Sequence, residues 1–230
     1  MRTKASTDSA SGLDIPLPPT LSFLTRVFRQ GGKSVSAVAK GSGAGNVGTY
    51  VPSQAFLTRG AGKHKEKLAS FEVALRNAGI ASVNLVRVSS IFPPHCKLIS
   101  RERGLAQLKP GQIVHAVISE NAANEPHRLM AAAIGVAIPR DRSRYGYLSE
   151  HHSFGEADDR AGEYAEDLAA HMLATILGIT KFDLDKSYVE EKDIWRLSGQ
   201  IVKTRNAVQS AVSDKNGLWT TVLAAVILLP

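Results

Sequence analysis

Asn84-Leu85-Val86-Arg87-Val88-Ser89-Ser90-Ile91-Phe92-Pro93-Pro94 is the stretch on which the reading of this chain turns. Val83 to Ser89 predicts an apolar strand. The two prolines stop it, because proline lacks the N–H that a ladder needs. At its end stand two adjacent serines. Most such pairs are plain strand ends or turns, but a pair held in a distorted peptide can also cut its own backbone. The Ser90 hydroxyl attacks the Ser89 carbonyl carbon and turns the peptide bond into an ester. β-Elimination then leaves dehydroalanine at position 90 while Ser89 departs with the new carboxylate. Hydrolysis releases ammonia and leaves a pyruvoyl ketone built into the chain. The acyl shift needs a strained peptide and a donor to the developing oxyanion; Asn84 is the candidate donor, if the chain bends back.

Working outward, Gln54 to Thr58 predicts a short strand. Lys63 to Ala78 predicts a helix with Leu68, Phe71, Leu75 and Ala78 on one face and Gly79 as its stop. Gln112 to Ser119 alternates as a strand. Leu129 to Ile138 is a near-continuous apolar run that fits a buried strand or a short helix. Tyr145 to His151 is another strand. Ala157 to Leu177 is the clearest helix: Ala161, Ala165, Leu168, Met172 and Ile176 form its stripe, Glu156, Asp158 and Asp159 stand at its first turn, and Gly178 follows it. Two late strands are expected over Gln200 to Gln209 and Leu218 to Leu228. Many strands with two long helices predict an α/β sandwich, helices packed on sheet faces. The apolar run Thr221 to Leu229 is shorter than the ~20 residues a membrane-spanning helix needs, so it reads as a buried final strand.

The composition is that of a soluble globular protein, with 43% hydrophobic and 21% charged residues. The net charge of +7 would suit nucleic acid, but residues 1–48 alone carry +4, from six Lys/Arg and two acids. The remainder holds 22 Lys/Arg against 19 acids and lacks a basic stripe interleaved with aromatics, which argues against a nucleic-acid partner. Cys96 is the only cysteine, which excludes an intrachain disulfide and fits a reducing, cytoplasmic setting. It follows His95, but neighbours on an extended chain point apart, so it reads as an ordinary thiol. Residues 1–48, rich in Ser, Gly, Thr and Ala, predict a flexible basic extension or a start assigned too far upstream; their Arg- and Ser-rich, acid-poor character also resembles a transit peptide. The folded domain is expected over 49–230. His127, His151 and His152 make no metal set, since adjacent histidines on a strand face opposite ways. Gly60-Ala61-Gly62-Lys63 lacks the spacing of a phosphate loop.

Several ordered motifs go beyond these patterns. They are Gly62-Lys63-His64-Lys65-Glu66-Lys67-Leu68-Ala69-Ser70-Phe71-Glu72, Asn77-Ala78-Gly79-Ile80, Asn84 to Pro94, Asn124-Glu125-Pro126-His127-Arg128, Ala131 to Pro139, Gly146-Tyr147-Leu148-Ser149-Glu150-His151-His152, and Gly217-Leu218-Trp219-Thr220-Thr221. Together they resemble the pyruvoyl-dependent arginine decarboxylases, the last of them the longer bacterial members. The resemblance covers about residues 50–230 and leaves 1–48 unmatched. It implies a subunit cut into a β chain ending at Ser89 and an α chain beginning with a covalent pyruvoyl group derived from Ser90, with no metal. It also implies an αββα sandwich assembled as a homo-trimer or a hexamer, with active sites between subunits, converting L-arginine to agmatine and carbon dioxide in polyamine synthesis or acid consumption. By motif position, Asn84 serves processing and the active site, and Glu150 protonates the product carbon. Glu72 receives the substrate guanidinium, where some members carry aspartate. Leu75, Val83 and Ile91 are the further substrate-binding candidates.

The residue types suit these roles. A ketone forms a Schiff base with an amino acid and accepts the electrons released as carbon dioxide leaves. Glu150 follows Tyr147 and Leu148 on an apolar strand, where burial would raise its pKa and keep it a proton donor; alternatively it is a strand-end acid paired with His151 or Arg144. A carboxylate at Glu72 could hold a guanidinium through two parallel hydrogen bonds, or merely pair with Arg76, four residues on. Ile91 and Phe92 could wall the ketone or belong to the core. Two alternatives stay open: the same chemistry on another amino acid, and an uncleaved scaffold or binding subunit in which Ser89-Ser90 is a plain turn.

Overall fold

In the computed structural model, which describes residues 50–178, 188–189, 194–197 and 200–230, two apolar strands buried on both faces set the architecture. The C-terminal strand alternates Ala224, Val226 and Leu228 toward one apolar cluster, with Val222 beside Met130 and Ala132 in a smaller one, and Leu223, Ala225, Ile227 and Leu229 toward another. Both faces are therefore apolar and the run is unbroken, the pattern of a strand covered on two sides. Leu129–Ile138 is the corresponding strand of the second sheet, and its run of small and branched residues resolves to a strand, not a helix.

In chain order the elements are β1 (Gln54–His64), α1 (Lys67–Ala78), β2 (Asn84–Arg87), β3 (Ile91–Phe92), β4 (Lys97–Leu98), α2 (Arg101–Leu105), β5 (Ile113–Ala123), β6 (Leu129–Ile138), β7 (Gly146–Phe154), α3 (Asp158–Ile176), β8 (Tyr188–Val189), β9 (Ile194–Leu197), β10 (Gln200–Val212) and β11 (Trp219–Leu229). One sheet has the order β2-β5-β11-β1-β4 and the other β3-β7-β6-β10-β9-β8. The two face each other across a core that includes Ala55, Phe92, Val117, Ile134, Val136, Leu148 and Val226. A second core, with Phe56, Ala74, Ala78, Ile80, Leu223 and Ile227, joins the first sheet to α1. Ala131, Ala133, Ala137, Ala161, Ala165 and Leu173 join the second sheet to α3. The layers are therefore helix, sheet, sheet, helix, the α/β sandwich expected. Each fully buried Val, Leu or Ile contributes about 1.5–3 kcal/mol, so these three cores hold the layers together.

Both helices sit closer to their sheets than a pattern of large apolar residues would allow. The buried residues of α1 are Ser70, Ala74 and Ala78, and Leu68, expected on that face, is 79% exposed. The reason lies on β1. A Cβ at Gly60 would stand 2.2 Å from the Ala74 carbonyl oxygen, so backbone packs on backbone and small residues must face inward. Gly135 on β6 does the same for α3, where a Cβ would meet the Ala165 carbonyl oxygen at 2.0 Å. The buried set on α3 is accordingly rich in alanine, and Leu168, Met172 and Ile176 are only half-buried. The stop at Gly79 holds: it takes φ 80° and its N–H reaches back to the Arg76 carbonyl.

Several boundaries move. β1 continues to His64, and α1 begins at Lys67 instead of Lys63. β7 runs to Phe154 and β10 to Val212. The expected strand over 83–89 ends at Arg87, so the serines follow it. The expectations for residues 1–48 lie outside the described residues. Among the described residues no helix is long and apolar enough to cross a membrane.

Candidate active site

The serine pair is the link between the two sheets. β2 lies at the edge of the first sheet, parallel to β5, with Asn84 opposite Ile113 and Arg87 opposite Ala116. The Val88 N–H still donates to the Ala116 carbonyl at 3.1 Å, after which the chain leaves that sheet. It enters the other at β3, where Ile91 pairs with Tyr147 and Phe92 with Gly146. Ser89 and Ser90 span the gap. A type II turn clamps the far side: the Cys96 N–H reaches the Pro93 carbonyl, with Pro94 and then His95 (φ 57°) at the two central positions. The Pro93-Pro94 pair therefore ends β3, not the preceding strand. Cys96 is buried beneath this turn, and burial pushes its thiol up to about 11, which suits an unreactive core residue.

Within the link the chain turns tightly. The Ile91 N–H donates to the Ser89 carbonyl oxygen at 2.9 Å, closing a three-residue turn centred on Ser90. The Ser90 carbonyl accepts from the Leu148 N–H at 2.8 Å, which fixes the turn to β7. The Ser90 hydroxyl donates to Glu150 Oε1 at 3.3 Å. The carbonyl that would be attacked thus already carries a donor, and the attacking hydroxyl already faces a carboxylate. The donor is a main-chain amide that no side-chain motif reveals. Asn84, expected to supply it, donates its side-chain amide to the Gly111 carbonyl at 3.0 Å instead.

β7 aims Glu150 by holding its neighbours. Ser149 donates to the Ala165 carbonyl of α3, and His151 bonds Glu156 at 2.8 Å while its ring lies 4.4 Å from that of Tyr164. Alternation then puts Leu148, Glu150 and His152 on the opposite face. Beyond the two residues of β3, β7 is a free edge, and side chains from β5 close it: Ser119 donates to the His151 carbonyl and Asn121 to the Ser153 carbonyl. Glu150 is exposed, not buried as its apolar strand led one to expect. His151 is taken by Glu156, and Arg144 reaches the Ile176 carbonyl, so the partner given to Glu150 is Ser90. The hydrogen bond from His151 holds the Glu156 carboxyl below its ordinary range.

The other candidates form a second group. Leu75 on α1 and Val83 before β2 pack on the core beneath α1. Glu72 is half-exposed and pairs with Arg76 at 2.5 Å. Ile91 is 39% exposed beside Ser90, whereas Phe92 is core. No described hydrogen bond, ion pair or core cluster joins Glu72, Leu75, Val83 and Asn84 to Ser90, Ile91 and Glu150 within the chain. A cleft of about 570 Å³ lies near this edge, with His152, Glu120, Lys67 and Phe71 among its walls, but neither Ser90 nor Glu150 lines it. The clefts around Arg59 and Arg101 lie at β1 and β10, away from the serine edge. Among the described residues no three His, Cys, Asp or Glu side chains converge as metal ligands.

Residues 54–230 match the profile of one protein family, described as pyruvoyl-dependent arginine decarboxylase. The chain is similar to a probable pyruvoyl-dependent arginine decarboxylase of Chloroherpeton thalassium, 59% identical over 182 residues, covering 79% of this chain and 100% of that protein. It is 58% identical to pyruvoyl-dependent arginine decarboxylase 2 of Methanosarcina acetivorans over 179 residues, covering 78% of this chain and 97% of that one. With the pyruvoyl-dependent arginine decarboxylase of Nitrosopumilus maritimus the identity is 56% over the same length, again covering 78% and 97%.

Proposed function

The chain belongs to the pyruvoyl-dependent arginine decarboxylase family, and from that premise we propose that it cuts itself between Ser89 and Ser90 and converts L-arginine to agmatine and carbon dioxide. The observation that carries the self-cleavage is the geometry of the link: the Ser90 hydroxyl on Glu150 at 3.3 Å and the Ile91 amide on the Ser89 carbonyl at 2.9 Å. Glu150 draws the hydroxyl proton as Oγ bonds to the Ser89 carbonyl carbon. The negative charge that develops on the carbonyl oxygen meets the Ile91 N–H already in place. The carbon–nitrogen bond breaks, the Ser90 nitrogen takes up a proton, and an ester joins the two residues. Loss of the Ser90 Cα proton then breaks the Cβ–oxygen bond and leaves Ser89 as a carboxylate.

The residues around position 90 suit a pyruvoyl group derived from that serine. Its backbone is pinned to β7 through Leu148, and the position is only half-buried, open to an incoming amino acid. When present, the ketone supplies an electron sink for the bond to the departing carboxylate. Glu150, on the same side of β7, is placed to return a proton to the substrate carbon.

Substrate selection falls to the second group. Glu72 already binds a guanidinium, that of Arg76, through an exposed ion pair weak enough to be displaced. The guanidinium of arginine is the same chemical group and competes for the same carboxylate, with Leu75 and Val83 beside its methylene chain. No described contact joins the two groups within one chain, which suits a complete site formed between subunits of a homo-trimer, or of a hexamer built from trimers. Glu72, Leu75, Val83 and Asn84 of one subunit face Ser90, Ile91 and Glu150 of the next, and the neighbour supplies the burial that Glu150 lacks alone.

Intact mass under denaturing conditions tests the reading, on the wild-type chain and on Ser90→Ala. The wild type is expected as two fragments, the smaller ending in a free carboxylate at Ser89 and the larger blocked to N-terminal sequencing; Ser90→Ala is expected as one. Arginine-dependent release of agmatine follows in the cut protein alone. A single full-length species in both proteins overturns the proposal.

A further inference from the structure

β2 and β5 run parallel, and their ladder advances by a regular step. The Asn84 N–H donates to the Gln112 carbonyl at 2.8 Å, and the Val88 N–H donates to the Ala116 carbonyl at 3.1 Å. Continued by one more rung, the ladder would place the Ser90 N–H on the Ile118 carbonyl. That rung is taken. Arg87 Nη1 donates to the Ile118 carbonyl oxygen at 3.1 Å, and its Nη2 is held by Glu120 Oε2 at 2.6 Å. The Ser90 N–H has no backbone acceptor among the described residues.

We propose that Arg87, anchored by Glu120, is the positioning residue that ends the β2–β5 ladder one rung before the scissile peptide and so frees Ser89-Ser90 to adopt the turn in which self-cleavage occurs. This rests on the self-cleavage proposed above. Without the guanidinium, the Ile118 carbonyl becomes an open acceptor at a sheet edge, and a buried or edge carbonyl finds a donor. By the ladder's register that donor is the Ser90 N–H. Pairing there extends β2, draws residue 90 away from Glu150 and breaks the contact of Ile91 with the Ser89 carbonyl. The scissile nitrogen, which must leave and take up a proton, would be tied into a ladder. Glu120 matters because the pair is half-exposed: an arginine free to swing would leave the carbonyl uncovered part of the time.

The test measures the first-order rate of self-cleavage by intact mass, from freshly made full-length chain, at a temperature where circular dichroism shows each variant folded. Arg87→Met is expected to slow cleavage by about tenfold or more, the scale on which small misplacements act. Arg87→Lys, whose one ammonium nitrogen replaces the two-nitrogen fork and has shorter reach, recovers part of the rate, and Glu120→Gln adds nothing further in the Arg87→Met background. A second readout does not need cleavage. In uncut Ser90→Ala protein, Arg87→Met should slow hydrogen exchange of the residue-90 amide, because it joins the ladder. Wild-type cleavage in Arg87→Met, or faster exchange at residue 90, overturns the assignment while leaving self-cleavage standing. A wild-type chain that never cuts removes the proposed function itself, and the exchange readout then decides the structural part alone.

Discussion

The N–H of Ile91 points back at the carbonyl oxygen of Ser89, 2.9 Å away and on the far side of Ser90. One donor thus sits where charge must gather if the Ser90 hydroxyl attacks. Ile91→Pro deletes that donor at the first position of an edge strand, where proline is tolerated. Self-cleavage is expected to slow by roughly a hundredfold, the scale of losing one oxyanion donor, while Ile91→Val leaves it unchanged. The fraction cut, followed by mass against time, decides. Equal rates in both variants would show that this amide does not serve the reaction.

Glu150→Gln keeps the shape of the side chain and removes its charge. With the Ser90 hydroxyl donating to it at 3.3 Å, the amide can still accept that hydrogen bond but cannot hold the proton. Cleavage should fall by about 10²-fold, the lower range for a general base. In protein that does mature, kcat should fall with little change in KM. A drop in KM affinity alone would assign Glu150 to binding instead.

Glu72→Gln should leave processing intact and weaken arginine binding, with KM raised about tenfold or more and intact mass unchanged. Arg76→Ala should act in the opposite direction on KM, since it removes the internal competitor that holds Glu72 at 2.5 Å. Titration of initial rates against arginine separates the two. If neither substitution moves KM, the guanidinium is bound elsewhere.

Acid should loosen β7 from the connection that leads into α3. The His151 hydrogen bond keeps the Glu156 carboxyl below its ordinary range in the folded chain, so the unfolded chain takes up that proton more readily. The stabilisation is therefore complete above the ordinary carboxylate pKa and is lost as pH falls through the lowered folded value. Tm measured from neutral pH downward should decline more steeply in the wild type than in Glu156→Gln, with the two converging in acid. At neutral pH the variant should melt roughly 2–4 °C lower. Parallel curves would remove the pair from the account of acid stability.

Much of the layer order was legible because burial leaves a plain trace. Val222 to Leu229 is apolar at every position since both faces of β11 are covered, and Ala157 to Leu177 carries its acids and following glycine where a helix needs them. The inward faces of the helices were less legible. Leu68 was expected to pack on the sheet, but Gly60 brings α1 so near that only Ser70, Ala74 and Ala78 fit beneath it, and a pattern of large residues cannot report a close backbone approach. β3 and β4 have two residues each, too few for alternation to register. Of the site, the serine pair stood out through Pro93-Pro94 and Glu150 through its motif. The Ile91 amide did not, because every residue but proline carries one. The Arg87 contact did not either, because it depends on a sheet register that only the folded chain defines.

The position of β1 has a consequence for how such a molecule survives damage. The segment before Ser89 contributes β1, α1 and β2, and β1 lies inside its sheet, paired along eleven positions from Gln54 to His64 with β11 and flanked by β4 on its other side. Before a cut at Ser89-Ser90, folding is a unimolecular event in one polypeptide. After it, the same architecture is two chains woven together, and recovering it from the denatured state requires an encounter between them. Recovery of the cut protein from the denatured state should then depend more steeply on its concentration than that of Ser90→Ala, in which each subunit refolds as one polypeptide before it assembles. Under the proposed cut, maturation is a ratchet: the precursor can make repeated attempts at its native state, and the cut molecule would owe its lifetime to the slowness with which the interleaved strands come apart.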